Sequence, residues 1–373
     1  MRKDNTIEAF FALVRAGLWE TDVQLASYGE VDYAEVMRLA QEQTVVGLVA
    51  AGLEHVTDVK VPQVWALQFA GKTIQLEQRN KAMNQFIAGL ISKMRESEIY
   101  SLLIKGQGVA QCYERPLWRS AGDIDLFLSD NNYSKALQLL TPIASRVDKE
   151  KEYTQHVAMD IDGWDVELHG SLRCGLWKAM DKVLDEIQRS IFNGGAVRSW
   201  MNGKTQVFLP NEDEDFVFIF SHILQHLFIE GVGLRQICDW CRLLWAFKDK
   251  INHRLLEQRI MEMGILSEWK TFASLSVDYL GMPANAIPLF STSKRWSSNA
   301  RIIENIILKT GNFGHNIDKS YLYNKNTVLK RKLITFWRQA KDCFSLIRVF
   351  PLDSLKVLYT YFVFGTKRYI KGE

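Results

Sequence analysis

The stretch that decides the fold is "RSAGDIDLFLSD", residues 119–130. It sets Asp123 and Asp125 one residue apart at the head of a short apolar run. In an extended strand alternate side chains share a face, so the two carboxylates project together while Ile124 points the other way. Carboxylates held this close repel unless protons or a cation intervene. A divalent ion bound by both removes the repulsion, and hard oxygen ligands suit Mg²⁺. The competing reading is structural, with two aspartates at a strand entrance held by backbone N–H groups.

Outward from this point the pattern alternates. Upstream, "IYSLLIKG" (99–106) reads as a buried strand, "GQGVAQCYE" (106–114) as a short helix and "RPLWRSAG" (115–122) as a loop. Downstream, "NNYSKALQLLTPIAS" (131–145) is helical, with Asn131 or Asn132 as its N-cap. "KEYTQHVAMDI" (151–161) and "WDVELHGSL" (164–172) flank Asp162-Gly163, a strong hairpin signal. On the second hairpin strand Asp165, Glu167 and His169 share one face. A carboxylate there would complete a two-metal clamp for in-line displacement at phosphorus. Alternation does not separate Asp165 from Glu167.

Helical periodicity surrounds this α/β unit. "DYAEVMRLAQEQTVVGLVAAGLEHV" (32–56) and "QLEQRNKAMNQFIAGLISKMRESE" (75–98) repeat their apolar residues at helical spacing. After a stretch read as weakly structured, "VFLPNEDEDFVFIFSHILQHLF" (207–228) opens a new helix, with Asn211 as cap and Glu214 in capping-box position. Helices are expected to continue from there, interrupted by the loop "KTGNFGHNIDKS" (309–320). Three regions follow: a helical one at 1–95, a catalytic core at 96–190 and a helical one at 191–373. The fold class is α+β, a small mixed sheet embedded between helical regions.

The chain has 373 residues, 47% of them hydrophobic and 24% charged, and a net charge of +3. That balance is too near neutral to argue for a nucleic-acid partner. Residues 318–373 are the exception, with twelve Lys/Arg against four Asp/Glu and several aromatics. Such a segment could touch an anionic surface, but a helical subdomain with solvated lysines is the simpler reading. Five scattered cysteines, charged residues within the first twenty positions and no apolar run of membrane length lead us to expect a cytoplasmic protein. Cys238 and Cys241 form a CxxC inside a helical pattern, with no second pair at zinc spacing, and read as structural thiols.

Three chemistries place a DxD at a strand. Nucleotide-sugar glycosyltransferases and phosphatases of the haloacid dehalogenase type put the apolar strand first. Here it follows the acids, and Phe127 stands where such a phosphatase needs Thr. Nucleotidyltransferases of the DNA-polymerase-β superfamily place a loop first, then the acids, then apolar residues. The run "LLIKGQGVAQCYERPLWRSAGDIDLFL" (102–128), then "DVELHGSL" (165–172) and "SHILQHLFIEGVGLRQICDWCRLL" (221–244), resembles the bacterial uncharacterised nucleotidyltransferase family of that superfamily. The resemblance spans roughly residues 75–250.

The resemblance implies Mg²⁺-dependent transfer of a nucleoside monophosphate from an NTP, with ATP the expected nucleotide, to an acceptor hydroxyl, releasing pyrophosphate. It implies Asp123 and Asp125 as ligands bridging two metal ions. Glu167 rather than Asp165 becomes the third carboxylate, on the ion that lowers the acceptor's pKa. Lys105, Gly106, Gln107 and Gly108 would receive the nucleotide's phosphates, Arg119 would neutralise further charge, and His169 would touch nucleotide or orient Glu167. The superfamily's usual Gly-Ser or Gly-Gly turn is replaced here by Lys-Gly-Gln-Gly. His222 and His226, at i and i+4, share a helix face but lack the glutamate of a zinc helix, so packing beside the cleft is expected. Arg235 and Asp239 are read as a helical ion pair. The acceptor (a small molecule, a protein side chain or an RNA end) is not encoded in any motif. The alternative is a non-catalytic nucleotide- or partner-binding module on the same fold.

Overall fold

The computed structural model describes residues 2–312 and 345–370. It opens with helices α1 (Arg2–Trp19), α2 (Tyr33–Glu42), α3 (Val46–Glu54) and α4 (Gln63–Glu96), in line with the periodicity. The 32–56 run is divided, because Thr44 adopts φ 54° between α2 and α3. Asp32 caps α2, its carboxylate accepting from the N–H groups of Ala34 and Glu35. Helices α1 and α3 cross with their backbones in contact. A Cβ on Gly17 would lie 1.9 Å from Leu48 O, and one on Gly52 would lie 2.0 Å from Leu13 O.

The sheet follows. Strand β1 (Leu102–Ile104) leads into α5 (Gly106–Ala110), then β2 (Ile124–Phe127) and α6 (Asp130–Leu140). The N-cap of α6 is Ser129, so neither Asn131 nor Asn132 caps it; both lie inside the first turn. Strand β3 (Arg146–Val147) precedes the expected hairpin of β4 (His156–Ile161) and β5 (Trp164–His169). Its turn residues Asp162 and Gly163 have φ 53° and 78°, the positive pair that a two-residue I′ turn demands. The next stretch is not weakly structured. It forms α7 (Lys178–Phe192) and a second hairpin, β6 (Val197–Asn202) and β7 (Thr205–Pro210). The region from residue 191 onward therefore begins with two strands.

The seven strands lie in the order β3-β4-β5-β2-β1-β7-β6. β2 runs parallel to β5 and antiparallel to β1, while β1 runs parallel to β7. The sheet is thus mixed and the protein is α+β. Period-two alternation gives the sheet two unlike faces. Ile124, Leu126, Val166 and Leu168 point into one core, which α4 closes with Met83, Ile87 and Leu90 and α6 with Tyr133 and Ala136. Leu102, Ile104 and Phe127 face a larger core shared by the N-terminal helices and by α7, α8 (Glu212–Ile229) and α9 (Leu234–Phe247). Asp125, Glu167 and His169 lie on this second face, where Lys105 links Asp125 to His222 of α8.

Helices α10 (His253–Met263), α11 (Leu266–Leu280) and α12 (Lys294–Thr310) complete the helical side, with a last described helix at Pro351–Ile370. Asn211 caps α8 by accepting from Asp213 N–H, whereas Glu214 lies 3.4 Å from Arg259. Cys238 and Cys241 are buried in α9, and burial pushes the Cys241 thiol up to about 12, so both act as packing groups. Residues 313–320 of the expected loop, and 318–344 and 371–373 of the basic segment, lie outside the described residues. In the described part of that segment Phe350 is buried near Phe228 and Tyr359 is exposed. Among the described residues no helix is long and apolar enough to cross a membrane.

Candidate active site

Parallel pairing of β2 with β5 sets Asp125 directly beside Glu167. Asp123 stands two residues before Asp125, just outside the strand. Together the three carboxylates bring one oxygen each to within 4.8 Å of one another. Asp165 is not part of this group: it is exposed and paired with Arg146 at 3.0 Å. Asp125 is buried to 1% exposure, while Glu167 keeps 23% and Asp123 is half-buried. One carboxylate is thus buried, and two keep some exposure to solvent. A set of three hard oxygens in this span suits a divalent cation.

Lys105, between β1 and α5, has φ 60° and ψ −154°, a region that side chains other than glycine's rarely enter and that marks stored strain. This backbone bend aims the ammonium back at the acids. Lys105 Nζ lies 2.6 Å from Asp125 Oδ1 and 3.5 Å from His222 Nε2 on α8. Burial opposes the charged ammonium, yet Asp125, Asp123 and Glu167 outweigh it and raise the Lys105 pKa. Asp125 is pushed up by burial, against the pull of Lys105 and with further repulsion from Asp123.

Two histidines complete the cluster. His169 Nε2 lies 2.9 Å from Asp125 Oδ1 and 3.4 Å from Glu167 Oε2. His156, opposite His169 in the hairpin register, brings its Nε2 to 3.1 Å from the same Glu167 oxygen. The two rings stack at 4.6 Å. Burial works against ionised Glu167, but His156, His169 and Lys105 overcome it and hold its pKa far below the ordinary range. For His169 burial lowers the pKa, and the hydrogen bonds to Asp125 and Glu167 reverse this to a net rise.

A raised folded-state pKa has a fixed sign in stability. The contribution of His169 is complete below its unfolded value of about 6.5 and is lost as pH rises through the higher folded value. In chelator, the urea midpoint is therefore expected to fall across a window opening just above pH 6.5. His169→Gln is expected to flatten that slope. An equally steep fall in the variant would assign the effect to other groups.

The remaining residues expected at the site divide between the cluster and its supports. Gly106 lies against the Asp123 carbonyl, where an added Cβ would sit 3.4 Å from the oxygen. The Gly108 N–H donates to Lys105 O, and a Cβ on Gly108 would lie 2.9 Å from Leu209 on β7. The Gln107 side chain turns away to Asn80 on α4 at 2.9 Å. Asn80 in turn donates to Leu117 O and Arg119 O, both at 2.8 Å. Arg119 makes a two-toothed bond to Asp239 on α9, at 2.9 and 2.6 Å. Asp239 therefore pairs with Arg119 across the fold, and Arg235 donates to Ser120 O at 3.0 Å. His226 Nε2 lies 2.9 Å from His222 Nε2, which in turn is 3.5 Å from Lys105 Nζ. Desolvation, with Lys105 close by, drives the His222 pKa well below its ordinary value.

His156 carries no motif, and motif reading alone passes over it. Counting back from the Asp162-Gly163 turn does set it opposite His169, so the hairpin register held the signal.

The order of these elements matches a known family. The chain belongs to the uncharacterised nucleotidyltransferase family, whose model matches residues 29–281. Membership supports a nucleotidyl transfer activity in general terms and a nucleotide as substrate, and the acidic cluster could hold the divalent metal that such enzymes use. No curated protein and no solved structure matches the chain.

Proposed function

We propose that this protein transfers a nucleoside monophosphate from an NTP, with ATP the expected donor, to an acceptor hydroxyl, releasing pyrophosphate. The observation that supports this reading is the convergence of Asp123, Asp125 and Glu167 from the head of β2 and the middle of β5. Mg²⁺ fits this oxygen-only donor set. Asp123, Asp125 and Glu167 would hold it, and when bound it supplies charge neutralisation at the transferred phosphoryl group and activation of the acceptor hydroxyl.

The chain's own groups have distinct tasks in this reading. Asp125 is the fixed element, since its burial and the Lys105 contact leave its carboxylate little freedom. Glu167 stays ionised under its three cationic or hydrogen-bonding neighbours, which keeps an acceptor of positive charge at the open edge of the site. Lys105 sits beside the three carboxylates, where its ammonium can meet phosphate oxygens, a role favoured by its strained backbone. Gly106 keeps the Asp123 backbone approachable. Arg119, anchored by Asp239, acts by ordering the loop before Asp123.

The test is mass spectrometry of the protein and of a metabolite extract after incubation with Mg²⁺ and each labelled NTP. A mass gain of one nucleoside monophosphate, with matching pyrophosphate, is expected on one acceptor. NTP binding without pyrophosphate release, whatever the extract, would instead favour a nucleotide-binding module.

A further inference from the structure

We propose that His156, His169 and Glu167 form a second metal position, selective for a late first-row divalent ion such as Co²⁺ or Zn²⁺ over Mg²⁺. It adjoins the three-carboxylate group and shares Glu167 with it. The inference stands on the geometry of these three side chains and does not require the nucleotidyl-transfer reading.

The three donor atoms lie within 4.8 Å of one another. Glu167 Oε2 is 3.1 Å from His156 Nε2 and 3.4 Å from His169 Nε2. Ligands about 2.0–2.1 Å from a tetrahedral ion lie roughly 3.4 Å apart, so two edges of the triangle already have the spacing a bound ion needs. The stacked imidazoles, 21° from parallel, bring both Nε2 atoms toward one carboxylate oxygen.

A separate observation points the same way. His156 Nε2 is buried, and its contact with Glu167 Oε2, though only 3.1 Å long, is poorly directed for a hydrogen bond. A buried polar atom held in a poorly directed contact is under-satisfied, and a bound ion lying between His156 Nε2 and Glu167 Oε2 would give it a well-directed partner. The other polar contact in the group is that of His169 Nε2 to Asp125 Oδ1 at 2.9 Å, and ligation through that nitrogen replaces it.

The donor set decides which ion. Two imidazoles and one carboxylate suit zinc, cobalt and nickel, whereas Mg²⁺ prefers oxygen and water. Glu167 has two carboxylate oxygens and so can serve both positions. The cluster would then hold two unlike ions, a hard one on the aspartates and a softer one on the histidines.

The experiment uses the full chain, stripped with chelator, desalted and titrated with Co²⁺ in excess Mg²⁺ while visible absorption is followed. One Co²⁺ per chain with a visible ligand-field band is expected. His156→Ala should weaken binding at least tenfold, and so should His156→Gln, which keeps the side-chain bulk if the alanine variant fails to fold. Asp123→Asn should retain the band, since Asp123 is outside the nitrogen group, and so should His222→Ala. The proposal is overturned by the absence of a band, by its abolition in excess Mg²⁺, or by wild-type affinity in a folded His156 variant. Loss of the band in His222→Ala with retention in the His156 variants would also overturn it, by placing the ion on the α8 pair.

Discussion

Asp125→Asn is expected to lower NTP-dependent pyrophosphate release by roughly a thousandfold or more, with the fold retained. A metal ligand at a phosphoryl-transfer site contributes several kcal/mol of transition-state charge stabilisation, and each ~1.36 kcal/mol is a factor of ten. The substitution preserves volume at a position only 1% exposed, so the sheet keeps its packing while one anionic oxygen pair disappears. Lys105 and His169 lose their shared carboxylate at the same time. Asp123→Asn is expected to match the loss in rate with less effect on stability, because Asp123 lies outside the strand and is half-buried. Circular dichroism and a pyrophosphate assay on both variants provide the measurement. Wild-type-like release by either one would falsify the assignment of these carboxylates to the reaction.

Asp239→Ala is expected to cost about 3–5 kcal/mol of unfolding free energy, the range for breaking one side of a buried ion pair. Asp239 accepts two hydrogen bonds from Arg119 and one from Tyr113 Oη at 2.7 Å, and both side chains of the ion pair are more than nine-tenths buried. Removing it strands a guanidinium that is only 6% exposed. The double variant Arg119→Met, Asp239→Leu is expected to recover much of the loss, since no unpaired charge remains. Urea midpoints of the three proteins give the answer. A loss below about 1 kcal/mol for Asp239→Ala, the level of an exposed pair, would show that this pair does not clamp the loop ahead of Asp123. The loop has other ties, from Asn80 and Arg235 to its carbonyls.

Much of the fold was legible because local rules carry it. Asp162-Gly163 specifies a two-residue turn, and that turn sets every pairing in the β4–β5 hairpin, including His156 with His169. The long apolar period of residues 75–98 predicts the body of α4. Where local reading failed, a competing signal was close by. Ser129 won the cap of α6 over Asn131 and Asn132 because the chain leaves β2 in an extended conformation at Ser129. The hairpin β6–β7 was missed because its pattern is weak: β6 alternates exposed and half-buried residues, with too few buried positions to stand out. Arg235 and Asp239 satisfy the helical i, i+4 rule, but the buried two-toothed bond from Arg119 to Asp239 joins residues 120 apart in the chain, beyond the reach of any local rule.

The amino-acid sequence by itself determined which side chains share a face: Asp123 with Asp125, and Glu167 with His169, through the strand period of two. It also determined the family, through the order of its motifs. Only the tertiary structure decided that β2 lies parallel to β5, so that Asp125 stands beside Glu167 and Asp165 is left to solvent. It alone brought Lys105 onto Asp125, His156 onto Glu167 and Arg119 onto Asp239. The physical reason is range. Periodicity and turn chemistry act between near neighbours in the chain, whereas strand order and ion pairing are settled by which distant surfaces bury each other best.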